Sequence, residues 1–245
     1  MVTALMSMRE QFRGYYSLTQ AEEEKAWQGP GTLFVFDANV LTSLYRYTEQ
    51  TREDLLTTIE MLGNRAWLPY HAAWEYQRNR FSAIAQDRQL IEDVRAQIHE
   101  TKKSVAKRHW EGFGLSESHK ELHELTVEFR EEIAQKCDAL LERVKQIGND
   151  HPDIDSPDAV RDKLDILFED KVGSPFSQDQ IDQIEVEGEK RFEARIPPGY
   201  EDADKTRSHH HNGLTCQGKF GDLLIWKEVL AKAKSENRGS VVFVT

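Results

Sequence analysis

Four apolar residues, Leu33, Phe34, Val35 and Phe36, run without a break into Asp37, and Asn39 follows two places later. A short continuous run of β-forming apolar residues predicts a strand buried on both faces. Ionised aspartate is almost never buried without a partner. A core strand that ends on a carboxylate therefore has to be matched by something elsewhere in the fold. RAWLPY (Arg65 to Tyr70) and SVVFVT (Ser240 to Thr245) predict two further strands, the last of them buried.

The segments between these runs read as helices. Residues 8–28 form short helical pieces stopped by Gly29-Pro30-Gly31. Leu41, Leu44 and Tyr45 share one face of the helix after the first strand. Leu55, Leu56, Ile59 and Leu62 stripe the next, with Thr51 as its expected cap and Gly63-Asn64 as its end. HAAWEYQRNRFSAIAQ after RAWLPY is helical again, and DLLIWKEVLAKAKSEN before SVVFVT is an amphipathic helix. Strands alternating with helices predict an α/β fold, a three-layer α/β/α arrangement with a central parallel sheet.

The middle of the chain changes period. Ile84, Ile91, Ile98 and Val105 recur every seven residues, with Val94 on the same seam. Leu122, Leu125, Phe129, Ile133, Leu140, Val144 and Ile147 follow at spacings typical of one helix face, and EGFGLSES separates the two stretches. This predicts a long α-helical hairpin packed antiparallel. NDHPDIDSPDA is a turn-rich break whose acids lack the glycine and glutamate of a calcium loop. Further helices are expected up to about Arg195, and IPPGYEDADKTRSHHHNGLTCQGKFGD reads as a loop without periodicity. The expected organisation is a single domain, with a core over residues 30–82 and 200–245 and a helical insertion over residues 83–199.

Charge and cysteine content narrow the setting. The net charge of −11 over 245 residues argues against a broad nucleic-acid-binding face, though not against a local basic groove or a metal-mediated contact. No eighteen-residue apolar run or signal peptide is visible, and Cys137 and Cys216 read as reduced thiols, so a cytoplasmic protein is expected.

Carboxylates at element ends carry the functional reading. In open parallel sheets, sites form at the carboxyl ends of strands. Asp37 sits at such an end, Glu75 lies in the first turns of the helix after RAWLP, and Asp222 opens the last helix. Gathered at one point they would repel one another unless a cation lay between them, and Mg²⁺ or Mn²⁺ suits oxygen ligands and leaves positions for water and phosphate. The alternatives are that Asp37 and Asp222 merely cap their helices and that Glu75 is a surface residue. Lys205, Arg207 and Arg80 are candidates to hold substrate phosphates, with solvated surface charge as the alternative. HHHNGLTC (His209 to Cys216) could be read as a zinc cluster, but a mobile polar loop fits it better.

LFVFDANVLTSLYRY, WLPYHAAWEYQRNR, KVGSPFS, RIPPGYEDADK and GKFGDLLIWKEVL, in this order, resemble the PIN-like nuclease superfamily, specifically its bacterial DUF4935-type branch with a long helical insertion. The resemblance runs from about Phe12 to Thr245. It implies that Asp37, Glu75 and Asp222 are catalytic metal ligands for Mg²⁺ or Mn²⁺ and that Asn39 braces Asp37. It also implies a further acid after the last strand, a position beyond Thr245. The activity it implies is phosphodiester hydrolysis of RNA, or otherwise single-stranded DNA, by a toxin-like or phage-defence effector held by a regulatory partner protein. Two other readings stay open: a catalytically silent scaffold that binds RNA or a partner protein through the hairpin, and a zinc module built on the histidines.

Overall fold

The computed structural model describes residues 7–107, 119–151 and 154–245. It contains a three-stranded parallel sheet of order β2-β1-β5, built from β1 (Thr32–Phe36), β2 (Ala66–Trp67) and β5 (Ser240–Val244). Every residue of β1 is buried, as expected for a central strand covered on both faces. Leu68 extends the sheet past β2 through one parallel bridge to Val172. The last strand departs from the expectation of burial. β5 lies at the sheet edge, and its residues alternate between half-buried and exposed, with Val241 and Phe243 on the exposed side. Its apolar run reflects one packed face rather than two.

Along the chain the order is α1 (Met8–Gln11), α2 (Gln20–Gln28), β1, α3 (Ala38–Ser43), α4 (Glu49–Leu62), β2 and α5 (Tyr70–Lys107). Then follow α6 (Lys120–Asp150), α7 (Ala159–Leu167), α8 (Gln178–Glu193), a hairpin of β3 (Ser208–His211) and β4 (Leu214–Gln217), α9 (Gly221–Ser235) and β5. The start of α4 is one turn earlier than expected: Thr48, not Thr51, caps it, its Oγ1 accepting the Thr51 N–H at 3.3 Å. Gly63, at φ +55°, ends it in the left-handed turn its sequence predicts.

The chain divides into two compact units. The first comprises Met1–Val40, Thr58–Glu75 and Leu167–Thr245, and holds the sheet. Residues 167–199, read from sequence as part of the insertion, fold with this unit, as does α8 within them. In its core Phe36 meets Phe168 edge-on at 5.7 Å, and α2 packs on β1 through Trp27 and Phe34 at 5.3 Å. Phe220, Leu223 and Leu224 are fully buried. A Cβ on Gly188 would come within 2.5 Å of the Phe220 ring, so α8 approaches the start of α9 as closely as only glycine allows.

The second unit comprises Leu41–Thr57 and Tyr76–Ile166. Within it α5 and α6 form the predicted helical pair, and the linker EGFGLSES lies outside the described residues. Ile84 and Ile98 are buried and Ile91 and Val105 half-buried, as the seven-residue repeat predicts, whereas Val94 is exposed. On α6 the packed seam is Thr126, Ile133, Cys137, Val144 and Gly148, while Leu122, Leu125, Phe129, Leu140 and Ile147 are exposed. The apolar stripe of α6 is therefore wider than its seam, and the seam runs along one flank of it. Near its base, Asp158 accepts from Arg80 Nη1 at 2.6 Å, from the Tyr45 hydroxyl at 2.8 Å and from the Arg161 N–H at 2.9 Å. Among the described residues no helix is long and apolar enough to cross a membrane.

Candidate active site

The sheet register sets the first half of the site. Phe36 pairs with Val244, and the Asp37 N–H donates to the Val244 carbonyl at 3.0 Å. Asp37 and Thr245 therefore emerge together at the carboxyl end of the sheet. The Asp37 carboxylate is held from several sides. Oδ1 accepts the Ala38 N–H at 2.8 Å, and Oδ2 accepts Asn39 Nδ2 at 2.9 Å and Thr245 Oγ1 at 3.3 Å. Asn39 is thus one of the donors that hold this carboxylate. With 9% of its surface exposed, Asp37 is the buried carboxylate that the sequence of β1 leads into.

The second half comes from α9. Asp222 is its second residue, where the helix N-terminus favours a carboxylate. The stretch after Pro198 lies against it. Gly199 has φ +85°, and a Cβ there would sit 3.1 Å from Asp222 Cβ and 3.6 Å from Asp222 Oδ2. The turn that follows (Tyr200–Asp202) brings Asp202 close enough to push up the Asp222 carboxyl. Although Asp222 as a residue is exposed, partial desolvation of its carboxyl within the cluster is the largest cause of that upward shift, the charges of Asp202 and then Asp37 add to it, and Lys205 opposes it. Lys205 Nζ donates to Asp202 Oδ2 at 2.6 Å. That hydrogen bond, with the fields of Asp202, Asp222 and Glu75, holds the ammonium above its ordinary range.

Asp37 and Asp222 line one cavity of about 320 Å³, with Asn39 and Thr245 beside them. Its other wall is apolar: Pro198, Ile225, Trp226 and Phe243. Glu75, half-buried in the second turn of α5, does not line this cavity, and its field reaches the cluster at Lys205. Among the described residues no three His, Cys, Asp or Glu side chains form a group that could hold a metal ion. The donor set nevertheless suits a hard cation. Two carboxylates share the cavity, a third acid adjoins one of them, and all their donors are oxygens.

The candidate phosphate ligands fare differently. Lys205 lies in the cluster, paired with Asp202. Arg207 is exposed just before β3, with its carbonyl accepting the Gly218 N–H at 2.7 Å. Arg80 is buried in the second unit, ion-paired to Asp158 at 2.6 Å and set over the Phe81 ring at 4.0 Å. That engagement makes it a structural residue in this conformation rather than a free phosphate ligand. The histidine segment is not a loop but the β3–β4 hairpin, turned at Asn212-Gly213, both with positive φ. Strand alternation separates the histidines: His210 Nδ1 contacts Thr215 Oγ1 at 2.9 Å, while the His211 ring lies 5.6 Å from that of Trp74.

Sequence reasoning assigned no role to Asp202, Gly199, Trp226 or Phe243. Asp202 sits among Glu201 and Asp204, and nothing in composition singles it out. Trp226 was detectable, being four residues after Asp222 and so on the same helix face.

No curated protein and no solved structure matches the chain. A family model described as PIN like domain matches residues 33–245, from the first residue of the LFVF run to Thr245. That span takes in all of the sheet but the first residue of β1, together with Asp37 and Asp222, and the chain belongs to the PIN-like domain family.

Proposed function

We propose that this chain is a metal-dependent nuclease that hydrolyses phosphodiester bonds of RNA, or of single-stranded DNA, at the cavity between Asp37 and Asp222. PIN-like domains are usually nucleases and typically use divalent metals. The observation that carries the reading is the approach of two carboxylates to one cavity, where partial desolvation and neighbouring acids disfavour the charge on Asp222. Acids kept together at such a cost fit a site that binds a cation.

Asp37 and Asp222 would hold Mg²⁺ or Mn²⁺, with Glu75 as a further ligand or the group that positions the attacking water. A cation of this kind orients and acidifies a water and offsets the charge that develops on a phosphoryl group. Asn39 and Thr245 keep the Asp37 carboxylate turned by their hydrogen bonds. Lys205 is the cation closest to hand for a non-bridging phosphate oxygen once released from Asp202, and Arg207 is a second candidate. We further propose RNA ahead of DNA, a cytosolic setting, and a toxin-like or phage-defence effector held by a regulatory partner protein.

Calorimetric titration with Mn²⁺ and with Zn²⁺ tests this reading. Mn²⁺ binding that is lost in Asp37→Asn supports the nuclease. No Mn²⁺ binding supports a silent scaffold, and Zn²⁺ binding lost on replacing His209 to His211 supports a zinc module.

A further inference from the structure

The cavity that holds Asp37 and Asp222 has an apolar half that metal chemistry does not use. Trp226 and Phe243 both line it, yet they remain 42% and 41% exposed. Large aromatic side chains left in water at the wall of a concave site mark a binding surface. Their positions are fixed by regular structure. Trp226 follows Asp222 by one turn of α9, which separates such residues by about 5–6 Å. Phe243 follows the alternation of β5, two residues before Thr245, whose hydroxyl donates to Asp37.

An occupant must satisfy both halves at once, an apolar π-surface on one side and a cation-binding pair of carboxylates on the other. A nucleotide has this shape, with a flat base directly attached to a sugar-phosphate. A cavity of about 320 Å³ admits an unpaired base but not a duplex, whose bases are already stacked and covered by their own strands.

Resting on the nuclease reading above, we propose that Trp226 and Phe243 form a stacking ledge for one unpaired base next to the scissile phosphate, which makes the site selective for single strands. The ledge fixes the strand in register with Asp37 and Asp222. Its contribution is independent of base identity at first order, because every base has a π-face.

The test uses a labelled single-stranded RNA of mixed sequence, a set of copies each with one abasic site, and the corresponding duplex. Equilibrium anisotropy in Ca²⁺ reads binding, and cleavage in Mn²⁺ reads kcat and KM. One abasic position should weaken binding to the wild type by roughly 5- to 150-fold, the range for loss of one base–aromatic stack. Trp226→Ala should weaken the intact strand by a similar factor and lose the abasic discrimination. Trp226→Tyr should restore both, and Phe243→Ala should act in the same direction. If Trp226→Ala and Phe243→Ala bind and cleave every strand as the wild type does, the ledge is overturned while the nuclease reading stands. If the wild type shows the abasic signature but cleaves nothing in Mn²⁺, the ledge stands and the nuclease reading falls. Equal binding of duplex and single strand overturns the selectivity.

Discussion

Asp222→Asn should make the metal-free protein more stable while removing its response to Mn²⁺. In the folded chain the Asp222 carboxyl titrates above the ordinary 3.8, first because its carboxyl is partly desolvated and then because of Asp202 and Asp37. Above that raised value both folded and unfolded chains are ionised there, and the fold carries the full penalty. As pH falls through the raised value toward 3.8 the folded chain takes up the proton first, and the penalty disappears. The advantage of the asparagine variant is therefore greatest at neutral pH and gone near pH ~4. The carboxylate still meets water, so screening limits the gain to about 0.5–1 kcal/mol, or about 1–4 °C in Tm for a chain of this size. Mn²⁺ at about a hundred times its Kd should raise the wild type by about 2.7 kcal/mol, about 5–11 °C, and leave the variant unmoved. Calorimetric melts of both proteins should thus show their order of stability reverse on adding Mn²⁺ at neutral pH, and their metal-free stabilities converge at acid pH. A metal-free variant that melts below the wild type would refute the electrostatic reading of the site. A variant that still responds to Mn²⁺ would refute the assignment of Asp222 as a ligand.

Three further outcomes are expected. Asn39→Ala frees the Asp37 carboxylate from its 2.9 Å donor and should weaken Mn²⁺ binding by about 10–100-fold with little change in fold; unchanged affinity in calorimetry would count against its bracing role. Gly199→Ala forces a side chain into φ +85° and against Asp222, and should cost about 1–2 kcal/mol in urea unfolding together with a loss of Mn²⁺ affinity. Asp158→Ala leaves the buried Arg80 guanidinium unpaired beside Tyr45 and should cost about 3–5 kcal/mol, while Arg80→Met with Asp158→Leu should recover most of it. A loss below about 1 kcal/mol for Asp158→Ala would mean that water reaches the pair in solution.

What could be read from sequence followed the reach of each signal. The continuous run Leu33–Phe36 identified β1 because burial on both faces leaves no polar residue to interrupt it. SVVFVT carries the same composition, yet β5 is an edge strand, and composition cannot distinguish one packed face from two. The repeat Ile84, Ile91, Ile98 locates the α5 seam, whereas on α6 the apolar stripe is broader than the contact it makes, and Phe129 and Leu140 on that stripe are exposed. Asp37 and Asp222 were legible because each falls at an element boundary. The ion pair of Arg80 is not legible in sequence because its partner, Asp158, lies far along the chain and only the fold brings them together. The β3–β4 hairpin was missed although Asn212-Gly213 is a strong turn signal, since Ser208–His211 has no apolar alternation to mark a strand.

The central claim is tested most directly by incubating the purified chain with end-labelled single-stranded RNA and Mn²⁺, beside Asp37→Asn and Asp222→Asn. The account predicts Mn²⁺-dependent cleavage by the wild type and a loss of about a hundredfold or more in each variant, with both variants folded. Cleavage that persists in Asp37→Asn and Asp222→Asn, or in the absence of any divalent cation, would contradict it.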